Sequence, residues 1–277
     1  MNKLLVRVLT GAVFGIALLG AILYGHISFA ALFTITTMLA VNELSNLVHK
    51  YKKTSFSTII AVLGGGYLFF ALYAMEHLGV TNGIKLFAPY ILLVVYTFVQ
   101  QLYKTKGSSL DNYAYFTLTQ VYAALPFALL NILSTAGATE GTYCYALPLA
   151  IFVFIWCNDT GAFFVGCSIG RHKMWERVSP KKTWEGTVGG VVVAMIAGYV
   201  MSLFFEQMNV WQWMGMAAVV AVTGTYGDLI ESCMKREMGI KDSGNVLPGH
   251  GGILDRFDST LLATPAAIVY LSLIGIL

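Results

Sequence analysis

Apolar runs of about twenty residues follow one another along almost the whole chain, and no other feature restricts its fold so severely. A helix needs about 20 residues to cross the hydrocarbon core of a bilayer, where only helices and closed barrels satisfy their own backbone hydrogen bonds. The runs are continuous and do not alternate with polar residues, so helices are expected. Nine candidate spans can be read in order: residues 5–24, 27–48, 57–75, 87–103, 113–133, 145–168, 187–205, 211–228 and 259–276. Only 11% of residues are charged, far below the roughly 25% of ordinary soluble domains, so a water-soluble core is excluded. The expected fold is all-α: a polytopic integral membrane helical bundle with about nine transmembrane helices, forming one domain over 1–277. The first run lacks a clear cleavage site and is expected to stay as an anchor.

Basic residues give an independent check on the count. With the N-terminus inside, Lys3, Arg7, Lys50, Lys52, Lys53, Lys104, Lys106, Arg171, Lys173, Arg177, Lys181, Lys182, Lys235, Arg236, Lys241 and Arg256 all fall on the inner side. Lys85 alone falls outside, and the linkers near Glu140 and Glu206 carry no Lys or Arg, as positive-inside orientation demands. Nine spans, N-in and C-out, is the topology this implies. A map placing Lys106 and Lys181 on opposite sides would reject it. A net charge of +3 is too small to imply nucleic-acid binding. Cys144, Cys157, Cys167 and Cys233 have no paired spacing, which suggests neither disulfides nor zinc.

Charge is concentrated late in the chain. If Asp228 to Arg236 is helical, Asp228, Glu231, Ser232 and Lys235 share one face, and their oxygens could hold a metal. Leu247-Pro-Gly-His-Gly-Gly252 cannot be regular helix and reads as a tight loop. Asp255 and Asp258 then open the last apolar run, where a helix N-terminus favours anions. Asn158 and Asp159 lie inside the sixth run, where an ionised carboxylate requires a partner or a watery cavity; an interhelical hydrogen bond is the plainer alternative. The loop containing Ser179, Lys181, Lys182 and Thr183 leads into a span, a suitable arrangement for phosphates, although anionic lipid headgroups would also retain it. Earlier runs read as scaffold, with Gly11 to Gly15 and Gly64 to Gly66 allowing close helix packing. Glu43, near the inner end of the second run, either faces water, pairs with a Lys or has a function. His26, His49, His77 and His172 fit no metal-ligand pattern and suit surface or interface roles.

Taken together, these polar segments resemble the phosphatidate cytidylyltransferase (CDP-diglyceride synthase) family. Ser232, Lys235-Arg236, Lys241-Asp242, Pro248-Gly-His250-Gly-Gly252 and Asp255-Arg256-Phe-Asp258 match its signature, and Ser179 to Gly186 and Asn158 to Gly161 match its other polar motifs. The specific similarity covers roughly the C-terminal half, so 111–277 would carry the catalytic helices and cytoplasmic loops, with 1–110 mainly scaffold. The resemblance implies cytidylyl transfer from CTP to phosphatidate, giving CDP-diacylglycerol and pyrophosphate. It also implies Mg²⁺, with room for a second cation that spacing alone does not support. Asp228, Asp255 and Asp242 are the implied metal carboxylates, and Asp258, Lys235 and His250 would join Asp228 and Asp255 in catalysis. Ser179, Lys181, Lys182, Thr183, Ser232, Arg236, Lys241, Arg256, Asn158 and Asp159 would bind substrate. The site would be a polar cavity facing the cytoplasm from a bacterial-type inner membrane, reached by CTP from water and phosphatidate from the bilayer. Small-residue faces permit a homodimer. The alternatives are a related CTP-dependent transferase with another lipid acceptor, and a secondary transporter, which the missing inverted repeat disfavours.

Overall fold

The computed structural model describes residues 3–80, 83–104, 108–137, 142–246, 249 and 251–277. Seven segments are long and apolar enough to cross a membrane: His26–Lys52, Thr58–His77, Lys85–Leu102, Ser109–Leu133, Ala146–Ile169, Trp184–Ser202 and Val210–Glu237, with Val8–Tyr24 a shorter apolar helix. Large apolar side chains such as Ile16, Ile59, Leu92 and Phe163 are exposed. In water that surface would drive aggregation, whereas against lipid it is the required one. The protein is therefore an integral membrane helical bundle. Its contacts divide it into two compact units, residues 1–132 with 242–256 and residues 133–241 with 257–277.

The first unit holds α1 (Lys3–Tyr24), α2 (His26–Lys52), α3 (Thr58–His77), α4 (Gly83–Leu102), α5 (Ser109–Leu118) and α6 (Leu125–Leu133). Phe29, Phe33, Val41, Leu44 and Val48 are the buried stripe of α2, spaced at the three-, four- and eight-residue intervals that keep side chains on one helix face. Gly65 admits α3 against it, since a Cβ there would lie 2.9 Å from Val41 and 3.1 Å from Ala124. The Gly64 to Gly66 run does pack closely, as expected; Gly15, by contrast, has nothing within 4 Å of an added Cβ and supports no close approach. The fifth apolar run contains a π-helical turn, Thr119–Ala124, between α5 and α6. There Gln120 donates to the Ala61 carbonyl at 3.0 Å. His26 contacts Tyr73 at 2.9 Å and His49 contacts Thr54 and Thr58, so both serve packing.

The second unit holds α7 (Ala146–Ile169), strands β1 (Lys173–Trp175) and β2 (Ser179–Thr183), α8 (Trp184–Ser202), α9 (Val210–Glu237) and most of α10 (Leu254–Leu273). The antiparallel ribbon, with Lys173 opposite Thr183 and Trp175 opposite Ser179, is a small β element in an otherwise helical bundle. A two-stranded ribbon tolerates Pro180 because its outer edge needs no amide donor. Helices α7 and α8 pack across small residues: a Cβ on Gly186 would lie 2.8 Å from the Ala162 carbonyl, and one on Gly190 2.6 Å from that of Asn158. Asn209 caps α9 reciprocally with Gln212, at 3.0 and 2.9 Å. That helix runs unbroken to Glu237, so the polar residues after Asp228 continue the eighth apolar run. Seven of the nine expected stretches, the second to the eighth, coincide with segments long and apolar enough to cross a membrane; the first falls on the shorter apolar helix and the last on α10.

Candidate functional site

Gly227 determines how closely α9 and α10 approach in the second unit. A Cβ there would lie 2.6 Å from the Asp258 carbonyl oxygen and 3.2 Å from the Ser259 Cα, so only glycine allows the backbones this near. The next residue, Asp228, is thereby brought beside Asp258. Asp228, Glu231, Ser232 and Lys235 lie along one face of α9, as three- and four-residue spacing requires. Ser232 Oγ donates to Asp228 Oδ1 at 3.2 Å, and Lys235 Nζ to Glu231 Oε2 at 2.7 Å. Glu231 and Lys235 are both buried, at 2% and 9% exposure. Oxygens of Asp228, Glu231 and Asp258 all lie within 4.8 Å of one another.

Three carboxylates this close repel strongly. At an effective dielectric constant of 20, two unit charges 4 Å apart interact by about 4 kcal/mol. Lys235 and Lys182 supply some of the opposing charge. Lys182 Nζ lies 2.6 Å from Asp228 Oδ2 and 3.3 Å from the Thr225 carbonyl. Hard oxygen donors in a cluster that still lacks positive charge are what Mg²⁺ selects, so these residues fit such an ion.

Lys182 reaches this position from β2. Glu185, in the first turn of α8, accepts from the backbone N–H groups of Arg171 and His172 at 3.1 and 3.2 Å, and also pairs with the His172 ring. The start of the ribbon is thus tied to the helix it precedes. Thr183 caps α8, its hydroxyl accepting from Gly186 N at 3.2 Å. A cavity of about 190 Å³ opens beside the ribbon, lined by Asn158, Asp159, Lys181, Lys182, Thr183 and Thr225. Asn158 is 3% exposed and donates to Thr225 Oγ1 at 3.2 Å. Asn158 thus ties helices together, the plainer of the two sequence readings, and it lines the cavity together with Asp159.

Asp255 belongs to a different constellation, in the first unit. Its Oδ2 accepts from the backbone N–H groups of Ser243 and Gly252, at 2.9 and 2.8 Å. Glu43, on α2, holds the same loop. It accepts from the Ser243 hydroxyl, from Ile253 N at 2.9 Å and from Leu254 N at 3.2 Å. Of the other residues singled out in the sequence, Ser179 is half-buried in β2, whereas Lys241, Asp242 and Arg256 are exposed. Arg236 is exposed and donates to the Ile240 carbonyl at 2.8 Å, closing the end of its own helix. His250 and Pro248 lie outside the described residues. The family resemblance named neither Glu231 nor Glu43 as a site residue. Glu231 had a legible signal, its place on the Asp228 face; Glu43 had only its position near the end of an apolar run.

The sequence model of the "Cytidylyltransferase family" matches residues 5–274. A "Phosphatidate cytidylyltransferase" of Staphylococcus aureus (strain COL) is 33% identical over 261 residues, covering 94% of this chain and 96% of the relative. One from Bacillus subtilis (strain 168) is 32% identical over 275 residues, covering 96% and 97%. A third, from Staphylococcus saprophyticus subsp. saprophyticus, is 33% identical over 261 residues, with 94% and 96% covered.

Proposed function

Because this chain belongs to the cytidylyltransferase family, we propose that it transfers a cytidylyl group from CTP to phosphatidate, forming CDP-diacylglycerol and pyrophosphate. The observation that carries this reading is the gathering of Asp228, Glu231 and Asp258, with Lys182 on Asp228, among helices apolar enough to cross a membrane. Water-soluble nucleotide chemistry needs such charge; an acceptor that never leaves the bilayer needs such helices.

The reaction forms a bond between a phosphatidate phosphate oxygen and the α-phosphorus of CTP. It breaks the bond from that phosphorus to the bridging oxygen, whose electron pair departs with pyrophosphate. Phosphatidate arrives already anionic and needs little help from a general base, so the protein acts chiefly by positioning and by neutralising charge. Asp228, Glu231 and Asp258 would hold Mg²⁺, with Asp255 and Asp242 the further acids named by the sequence motif. Bound there, the ion supplies polarisation of the attacked phosphate and a counter-charge for the leaving group. Lys181 and Lys182 extend from the ribbon toward phosphate oxygens, while Thr183 and Ser179 offer hydroxyl donors. Lys235 holds the Glu231 carboxylate in place. Lys241, Arg236 and Arg256 are exposed cations suited to guiding the triphosphate or the lipid headgroup. His250 is assigned a leaving-group contact from the motif alone.

Positive-inside counting supports nine spans with the N-terminus inside, the C-terminus outside and the site facing the cytoplasm of an inner membrane. CTP would then enter from water and acyl chains from the side. Purified protein incubated with radiolabelled CTP, Mg²⁺ and a panel of lipids tests the reading. Labelled CDP-diacylglycerol from phosphatidate, with pyrophosphate in equal amount, is the expected result. Label appearing only on a polyprenyl or ether-lipid acceptor would replace phosphatidate as substrate, and label in no lipid would end the proposal.

A further inference from the structure

A buried carboxylate about two hundred residues before the motif acids in the chain is the least expected group in the first unit. Glu43 is 6% exposed, and among the described residues it forms no salt bridge with a Lys, Arg or His. Its partners are donors from one loop about two hundred residues later in the chain. Oε1 accepts from the Ser243 hydroxyl and from Leu254 N at 3.2 Å, and Oε2 accepts from Ile253 N at 2.9 Å. The loop is shaped to receive it. A Cβ on Gly252 would collide with Oε1, and one on Gly244 would meet Oε2 at 2.7 Å. Ile253 N and Leu254 N lie at the start of α10, where amides lack partners within the helix and the dipole favours an anion.

Ser243 links this carboxylate to another. Its hydroxyl goes to Glu43, while its backbone N–H goes to Asp255 Oδ2 at 2.9 Å. Gly252 N adds a second bond to that oxygen, at 2.8 Å. Both carboxylates therefore grip the same short loop, one from α2 and one from α10.

We propose that Glu43 is a positioning residue for the reaction: it fixes Ser243, Ile253 and Leu254 and, through Ser243, the orientation of Asp255. This rests on the reading of Asp255 as one of the acids that serve the metal. Residues that orient a metal ligand through a hydrogen bond are each worth about 10- to 100-fold in metal affinity or activity. A purely structural anchor would instead lower the amount of folded protein and leave its chemistry unchanged.

Glu43→Gln keeps the shape but puts an amide donor where only donors approach, so at least one of the three bonds is lost. Ser243→Ala removes the link from the loop side and leaves Glu43 in place. Two readouts on detergent-purified protein decide the matter. The first is turnover across a Mg²⁺ titration. Glu43→Gln is expected to lower kcat about 10- to 100-fold and to raise the half-saturating Mg²⁺ concentration, with the KM for CTP little changed. Ser243→Ala should shift both in the same direction by less, and Glu43→Asp should recover part of the loss. The second readout is hydrogen–deuterium exchange, which requires no activity. Exchange in the peptide containing Ile253 and Leu254 should accelerate in Glu43→Gln, while peptides from α8 and α9 stay as in the wild type. A loss of kcat with unchanged Mg²⁺ dependence, or unaltered exchange at Ile253 and Leu254, would overturn the proposal. If the wild type shows no cytidylyl transfer at all, the functional reading fails, and the exchange arm still judges the clamp separately.

Discussion

Replacing Lys182 by Met separates an ion pair that merely holds the site together from one that works on phosphates. The lysine lies 2.6 Å from Asp228 Oδ2, and the two side chains are 25% and 33% exposed. Water reaches both, so as a structural pair it would contribute only about 0–1 kcal/mol, and the variant would fold and turn over nearly as well as the wild type. As a cation facing charge that develops on pyrophosphate, it belongs with preorganised electrostatic groups, whose removal costs about 10²- to 10³-fold in kcat, or about 3–4 kcal/mol. The larger figure is expected, because Lys182 also lines the cavity with Lys181 and Thr183. The assay is the initial rate of CDP-diacylglycerol formation at saturating CTP, with thermal unfolding measured in parallel. Lys182→Arg should recover part of the rate by keeping the charge. Turnover of Lys182→Met within about threefold of the wild type would refute the reasoning, because that corresponds to only about 0.7 kcal/mol.

Gly227→Ala should destabilise the protein by about 1–3 kcal/mol and slow turnover together, because the new Cβ meets backbone and not a movable side chain; an unchanged melting temperature would contradict the close approach of α9 and α10. Glu231→Gln leaves the buried Lys235 ammonium without its carboxylate, at a cost of about 3–5 kcal/mol, whereas adding Lys235→Met should restore much of the stability without restoring activity. A double variant as unstable as the single one would show that the pair is not the cause. Single cysteines at Lys181 and Lys241 should label from the cytoplasmic side, and one at Lys85 from the other; labelling of all three from one side would reject nine spans.

The parts of this architecture that depend on local spacing were legible in the sequence. Asp228, Glu231, Ser232 and Lys235 could be placed on one face because a helix's period is fixed, and the apolar run before them carried the helix to that point. Gly64 to Gly66 read correctly as packing residues, but Gly15 did not, because a small residue permits an approach without requiring one. The ribbon from Lys173 to Thr183 went unseen, since three- and five-residue strands around a Pro carry too little periodicity. The π-helical turn at Thr119–Ala124 has no local signature either. Least legible was Glu43, whose partners Ser243, Ile253 and Leu254 are fixed by tertiary structure alone. A lone carboxylate near the end of an apolar run looks the same whether it faces water or anchors a loop.

The central claim is that Asp228, Glu231 and Asp258 grip a divalent ion on which the chemistry depends. Asp228→Asn tests it most directly, since it keeps the size of the side chain and its place beside Ser232 while removing the charge. Measured across a Mg²⁺ titration, with helical content and detergent size-exclusion profile unchanged, this variant should form no CDP-diacylglycerol at Mg²⁺ concentrations that saturate the wild type. Wild-type turnover with the same half-saturating Mg²⁺ would contradict the account.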